Sequence, residues 1–102
     1  MQRLTRPIFD GIQTLIRFKN NHGASIICHS HSYGGPEKLY ELAHVKFFGP
    51  DWNNRKMITD KIVHYDVVGY LTADECIPYL CEIAKIKEKK HGKNTKKLEN
   101  KT

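Results

Sequence analysis

The chain lacks the features that mark membrane-spanning and secreted proteins. Its 102 residues contain no apolar run of about 18 residues, the length that a transmembrane helix needs. The first residues, MQRLTRPIFDGIQ, also lack the apolar stretch of a secretory signal. We therefore expect a cytoplasmic protein that does not bind membranes.

Cysteine is scarce, and its spacing excludes the usual cysteine chemistries. Cys28, Cys76 and Cys81 are odd in number and form no Cys-x-x-Cys pair. Cys76 and Cys81 are five residues apart, which separates them by about 140° around a helix. Reduced, partly buried thiols are therefore expected, rather than disulfides or a redox site.

An excess of charge of one sign is absent from most of the chain. The formal net charge is +6, and the segment from Lys85 to Thr102, with eight lysines and two glutamates, accounts for all of it. Residues 1–84 are neutral, with nine basic and nine acidic side chains. The sequence predicts a single folded domain over residues 1–88 and a flexible lysine-rich tail over residues 89–102.

The lysine-rich segment has few means of recognising a nucleic-acid sequence. No arginine and no aromatic residue stands among its lysines, so bidentate guanine contacts and base stacking are absent. What remains is a salt-sensitive attraction to phosphate. Nonspecific nucleic-acid binding is therefore an alternative function, and a merely solubilising tail is the simpler interpretation. The lysines that would carry this binding are Lys87, Lys89, Lys90, Lys93, Lys96 and Lys97.

The start of the chain has the apolar spacing of a helix. Ile8, Ile12, Leu15 and Ile16 recur at intervals that place them on one helical face. Pro7 suits a first helical turn, where its missing N–H is not needed. The sequence therefore predicts a helix that begins at Pro7 and is stopped by residues 21–23.

The middle of the chain has strand signals. Residues 24–30 are rich in β-branched side chains, and residues 38–48 largely alternate between apolar and polar side chains, with a break at Glu41 and Leu42. That break indicates a bulge or burial on both faces. The glycines and proline of residues 34–36 mark a turn, so the two strands are predicted to form an antiparallel hairpin. A third strand is expected within residues 55–60 or 61–65.

A second helix is marked by a capping box. Thr72 and Glu75 stand at the Thr-x-x-Glu spacing that satisfies two backbone N–H groups at a helix start. The helix is predicted to bury Cys76, Leu80, Ile83 and Ala84 and to bend near Pro78. The fold class predicted is α+β: a small antiparallel sheet, made of the hairpin and a third strand, with an N-terminal and a C-terminal helix on one face.

Two groups of side chains have residue types suited to binding. His29, His31 and His44 would hold zinc if they converged across the hairpin, although a polar strand face is the simpler interpretation. Trp52 and Tyr33 stand in polar loops, the setting of aromatic anchors in protein interfaces, and Tyr40 follows in the next strand. Trp52 could equally cover the edge of the sheet. No convergent acid–base set is visible, so neither an enzyme nor a bound cofactor is expected.

Three short segments give a resemblance to a known group. SYGG at residues 32–35, LYE at residues 39–41 and GYLT at residues 69–72 resemble small uncharacterised proteins encoded by phages and mobile elements of Gram-positive bacteria. The likeness covers residues 25–86, and Lys38 stands where that group has glycine. It implies a non-catalytic protein that binds a host bacterial protein, for example an inhibitor of a defence nuclease such as an anti-CRISPR.

Overall fold

The computed structural model describes residues 1–87 as one antiparallel sheet of six strands with a single α-helix. The elements are β1 (Gln2–Ile8), β2 (Gly11–Arg17), β3 (His22–Cys28), β4 (Tyr40–Phe47), β5 (Arg55–Met57), β6 (Val68–Leu71) and α1 (Ala73–Ala84). The strand order is β1-β2-β3-β4-β5, and β6 also pairs with β4. A short 3₁₀ turn at Gly35–Glu37 lies between β3 and β4.

The predicted N-terminal helix is wrong, and with it the fold of two helices on a sheet. Residues 2–17 form the β1–β2 hairpin, in which Ile8 is opposite Gly11. The apolar spacing fits one helical face, but Leu15 and Ile16 are both buried as neighbours on β2. Neighbouring strand residues point to opposite faces, so each is buried on a different side of the sheet. The molecule is mostly antiparallel sheet with one C-terminal helix.

The hairpin predicted in the middle of the chain is confirmed as β3 and β4. Ala24 lies opposite His44 and Ile26 opposite Leu42. Residues 42–45 are all buried, so the break in alternation reflects burial on both faces. The third strand, β5, falls in the first of its two predicted windows, and it pairs with the end of β4.

The two faces of the sheet are covered differently. On the first, here called the covered face, α1 and the loop before β6 pack onto β3 and β4. Its buried cluster consists of Ala24, Leu42, Val63, Leu71, Cys76 and Ile83. The second, here called the open face, buries Ala43, Val45 and Phe47 of β4 beneath Trp52 and Val67. Trp52 meets the Phe47 ring edge-on, with 5.5 Å between ring centroids, and the rest of this face forms a concave groove.

The capping box of the helix is confirmed. The Glu75 N–H donates to Thr72 Oγ1 at 3.2 Å, and the Thr72 N–H donates to Glu75 Oε1 at 2.9 Å. The helix continues through Pro78 to Ala84. Cys76 and Ile83 are buried as predicted, and Leu80 is partly buried against the same cluster. Ala84 is exposed, because it follows the buried position and faces away from the sheet. Within residues 1–87 no helix is long and apolar enough to cross a membrane.

The C-terminal end of α1 is tied to the turn between β2 and β3 through one side chain. Asn20 Nδ2 donates to the carbonyl oxygens of Ile83 at 3.0 Å and Ile86 at 2.8 Å. Its Oδ1 accepts from the His22 N–H at 2.9 Å. Carbonyl groups at a helix end have no partner within the helix, so Asn20 satisfies two acceptors and fixes the helix on the covered face.

Candidate functional site

Four of the exposed aromatic side chains lie at one end of the sheet. Because the strands are antiparallel, the β1–β2 turn, the β3–β4 connection and the end of β6 meet there. Phe9 is 80% exposed, Tyr33 61% and Tyr70 59%, and Tyr40 is partly exposed beside them at the start of β4. We call these four residues the aromatic end. Large exposed aromatic groups in one place are typical of protein interfaces.

Two of these aromatic residues have unfavourable backbone conformations. Phe9 has φ 53° and Tyr70 has φ 60°, both in the left-handed region. This region costs a side chain larger than glycine about 1–2 kcal/mol. Phe9 is one of the two residues that turn β1 into β2, a position where hairpins commonly use a positive φ. Tyr70 lies where the pairing of β6 with β4 shifts register. Both side chains are exposed.

The chain around Tyr33 is held rigidly against β4 and β6. The Tyr33 N–H donates to Glu41 Oε1 at 2.8 Å, and the Tyr33 carbonyl accepts from the Tyr70 N–H at 3.1 Å. Gly34 has φ 94°, and a Cβ added to Gly69 would collide with Tyr33 Cβ. Glycine at these two positions therefore lets the segments of Tyr33 and Tyr70 approach closely.

Histidine and aspartate join the β1–β2 turn to the β3–β4 connection. Asp10 Oδ1 accepts from the Ser30 N–H at 3.0 Å, and the Phe9 and His29 rings are 5.0 Å apart. Hydrogen bonds from the backbone and side chain of Ser30 lower the pKa of Asp10. His29 Nδ1 accepts from the His31 N–H at 3.0 Å. These contacts fix the position of Phe9 relative to the loop that carries Tyr33.

The predicted partner-binding residues divide between two places. Tyr33 and Tyr40 belong to the aromatic end, whereas Trp52 packs on Phe47 near the opposite end of β4. Trp52 therefore takes the alternative position considered from the sequence, against the sheet. Sequence reasoning missed Phe9 and Tyr70. Phe9 was assigned to a helix although Asp10-Gly11 follows it, a pair typical of hairpin turns.

A second group of polar side chains lies inside the molecule. His22 Nδ1 is 2.9 Å from His44 Nε2, and His44 Nδ1 is 3.0 Å from Asp60 Oδ2. The contact to Asp60 is too bent to count as a regular hydrogen bond. His44 is fully buried and Asp60 is partly exposed. The three side chains link β3, β4 and the loop that follows β5.

The pKa values in this chain of side chains favour neutral histidine beside ionised aspartate. Burial lowers the pKa of His44, and the nearby His22 lowers it further, against the opposing charge of Asp60. Burial would raise the pKa of Asp60, but N–H donors from Val63 and Ile62, together with His44, outweigh it and lower the pKa. The arrangement is suited to holding the loop onto β4.

The structure does not bring the three predicted zinc ligands together. His44 contacts His22 and Asp60 in the core, while His29 and His31 lie beyond the end of β3, with their rings 6.3 Å apart. Among residues 1–87, no group of three or more His, Cys, Asp or Glu side chains is arranged to hold a metal ion.

Most of the alternative nucleic-acid site lies outside the described residues. Lys87 is the last residue described and is exposed. The predicted tail over residues 89–102 lies outside the described residues. It contains the other lysines of that set, which are Lys89, Lys90, Lys93, Lys96 and Lys97.

Comparisons with known proteins found no relative of this chain. Neither a protein-family model, nor a curated protein, nor a solved structure matches the chain.

Proposed function

We propose that this protein is a non-catalytic interaction module that docks on a host bacterial protein through its aromatic end. The observation that carries the proposal is the presence of exposed Phe9, Tyr33 and Tyr70 at one end of the sheet. Aromatic side chains lose little conformational entropy on binding and bury large areas, so they supply much of the affinity of interfaces.

The rigidity of the surface supports this proposal. Hydrogen bonds fix Tyr33 to Glu41 and to Tyr70 before any partner arrives, and Asp10 fixes the neighbouring turn to Ser30. A preformed surface avoids the cost of ordering loops during association.

The choice of partner follows from the resemblance of residues 25–86 to phage and mobile-element proteins. Proteins of that kind act on the host cell. A non-catalytic protein does so by covering a surface of its host partner. The specific version of the proposal is inhibition of a bacterial defence nuclease, as an anti-CRISPR protein does.

Copurification tests the binding. The tagged full-length protein is passed through a lysate of a Gram-positive host, beside a Tyr33→Ala/Tyr70→Ala variant. We expect one host protein to be retained in stoichiometric amount by the unaltered chain and lost with the double variant. In the complex, Tyr33 and Tyr70 should also be protected from nitration.

The matched control is Phe48→Ala, which removes an exposed aromatic ring beyond the other end of β4. Binding that survives the double tyrosine variant, or that is lost equally with Phe48→Ala, would contradict the proposed surface. A phage-plating assay in cells with an active defence nuclease tests the inhibition: the unaltered chain restores plaques, and the double variant does not. If neither restores plaques while binding is intact, the partner is not a defence nuclease.

A further inference from the structure

Two arginines from opposite edges of the sheet lie at the groove of the open face: Arg55 lines it, and Arg6 is hydrogen-bonded to Gln13 and Asn53, which line it. The groove has a volume of about 460 Å³ and runs between the strands and the loop that carries Asn53. Arg6 on β1 reaches that loop by donating from Nη1 to Asn53 Oδ1 at 3.0 Å. Arg55 on β5 donates from Nη1 to the Trp52 carbonyl at 2.9 Å. Both guanidinium groups are therefore anchored beside the same two loop residues.

The groups that orient these guanidiniums are all neutral. Arg6 Nε also donates to Gln13 Oε1 at 2.8 Å, and Gln13 Nε2 donates in turn to Ser25 Oγ at 3.0 Å. Gln13 is buried, so this chain of hydrogen bonds is a fixed part of the sheet. Amide and carbonyl oxygens hold the guanidinium groups in place, but they do not neutralise the positive charge.

Neither arginine has a carboxylate partner. Within residues 1–87, neither Arg6 nor Arg55 makes an ion pair. Glu41 lines the same groove, but its Oε1 accepts from the Tyr33 N–H. Burial and the nearby charge of Arg6 lower the pKa of Arg55, so the two cations are close enough to repel each other. Among the described residues, two like charges without an ion-pair partner at a concave surface favour the binding of an anion, and the carboxylate of Glu41 in the same groove is the one charge that opposes it.

We propose that the groove between Arg6 and Arg55 binds a phosphate monoester that carries an apolar or aromatic group. A guanidinium has five N–H donors, and the hydrogen bonds described use two of Arg6 and one of Arg55. The remaining donors are suited to bidentate contacts with phosphate oxygens.

The charge of the two arginines and the residues that line the groove define the class of ligand. A phosphate monoester is close to a dianion at neutral pH and matches two guanidinium groups, whereas a carboxylate or a phosphodiester brings one negative charge. Ile8, Ile27 and Met57 line other parts of the groove and offer an apolar surface to the remainder of the ligand. This site lies on the open face and does not depend on the aromatic end.

Calorimetric titration of the full-length protein with adenosine monophosphate tests the proposal. We expect one binding site. Adenosine, which lacks the phosphate, and a dinucleotide with a single phosphodiester should each bind at least about tenfold more weakly. Inorganic phosphate should compete for the site. Equal binding of the dinucleotide would overturn the monoester assignment, and absence of any binding would overturn the site.

The variant that tests the residues is Arg55→Gln, which should weaken binding about tenfold or more, because it removes a charged donor. The matched control is Arg3→Gln, which removes the same charge from an exposed position on the other face of β1. Equal weakening by both variants would show general attraction to the basic chain and would overturn the site. In the unaltered protein, the Nε–H resonances of Arg6 and Arg55 should shift on titration. If they do not, the proposal is wrong, however the variants fold.

Discussion

The covered and open faces of the sheet are built from the same strands but differ in what covers them. On β4, His44 points into the covered face, while its neighbours Ala43 and Val45 point to the open one, and all three are buried. The covered face is closed by a helix that is capped at its N-terminus and tied at its C-terminal end to Asn20. The open face is closed only in part, by the loop that carries Trp52, and it keeps Arg6 and Arg55 beside a groove.

This difference separates stability from binding. The covered face buries apolar side chains from the helix, β3, β4 and β6, so changes there should reduce the free energy of unfolding most. The open face presents charged and amide groups that are oriented by hydrogen bonds and are not neutralised by carboxylates. Substitution of Arg55 should leave stability nearly intact, whereas the buried, hydrogen-bonded Gln13 is a fixed part of the sheet.

The largest effect is expected at the centre of the covered face. Ile83 is fully buried, so Ile83→Ala should lower the free energy of unfolding by about 2–5 kcal/mol, because it removes apolar contacts and leaves a cavity. Urea denaturation measures the change. Ile77→Ala, at an exposed position of the same helix, is the control and should cost less than about 1 kcal/mol. Equal costs at the two positions would mean that α1 does not pack as described.

The second prediction concerns acid and the buried histidine. Because the pKa of His44 is lowered in the folded state, the unfolded chain binds more protons once the pH falls below about 6.5. Stability is therefore greatest above that pH and should fall by at most about 1.4 kcal/mol per pH unit below it. The lowered pKa of Asp60 adds a further loss below its ordinary value of 3.8. Denaturation at a series of pH values measures both.

The control for the acid effect is His44→Gln, which cannot titrate. The variant should show a shallower decline of stability between pH 7 and pH 5, even if it is less stable throughout. A decline as steep as that of the unaltered protein would assign the effect to groups other than His44.

The sequence predicted some elements of this fold correctly and others wrongly. The Thr72–Glu75 cap and the β3–β4 hairpin depend on neighbouring residues, so local spacing was enough to find them. The N-terminal hairpin was missed because Ile8, Ile12, Leu15 and Ile16 satisfy a helical spacing by chance. The hairpin is in fact local: Ile8 lies opposite Gly11 across a two-residue turn, and the helical spacing concealed it.

The candidate sites could be predicted from the sequence only in part. Tyr33 and Tyr40 were identified because they flank a recognisable turn. The approach of Tyr70 to Tyr33, of His22 to His44, and of Arg6 to the loop of Asn53 depends on strand register and on loop paths. No local pattern reports contacts between residues so far apart in sequence.

The third prediction tests the N-terminal cap of the helix that closes the covered face. Thr72→Ala removes the acceptor for the Glu75 N–H and should cost about 1 kcal/mol. Thr14→Ala changes the same residue type on β2, outside any helix cap, and serves as the comparison. Thermal melting should show a loss of several degrees for the first. If Thr72→Ala melts at the same temperature as the unaltered protein, the cap contributes nothing to the stability of the folded state.

The smallest effect is expected on the open face. Arg55→Gln should change the free energy of unfolding by less than about 0.5 kcal/mol, because its guanidinium bonds one carbonyl and is repelled by Arg6. Urea denaturation of the variant, without ligand, measures this. A loss as large as that of Ile83→Ala would show that both faces hold the fold, and the distinction between them would fail.

The position of β1 has a consequence for self-association. In the part of the sheet that the structure describes, β1 pairs with β2 alone, so one side of its backbone faces outward. Such an edge invites strands from other molecules. Pro7 has no N–H to offer to an incoming strand, and Arg3 and Arg6 would bring like charges together if two copies met edge to edge. Concentrated solutions should therefore resist fibrillar aggregation along this edge.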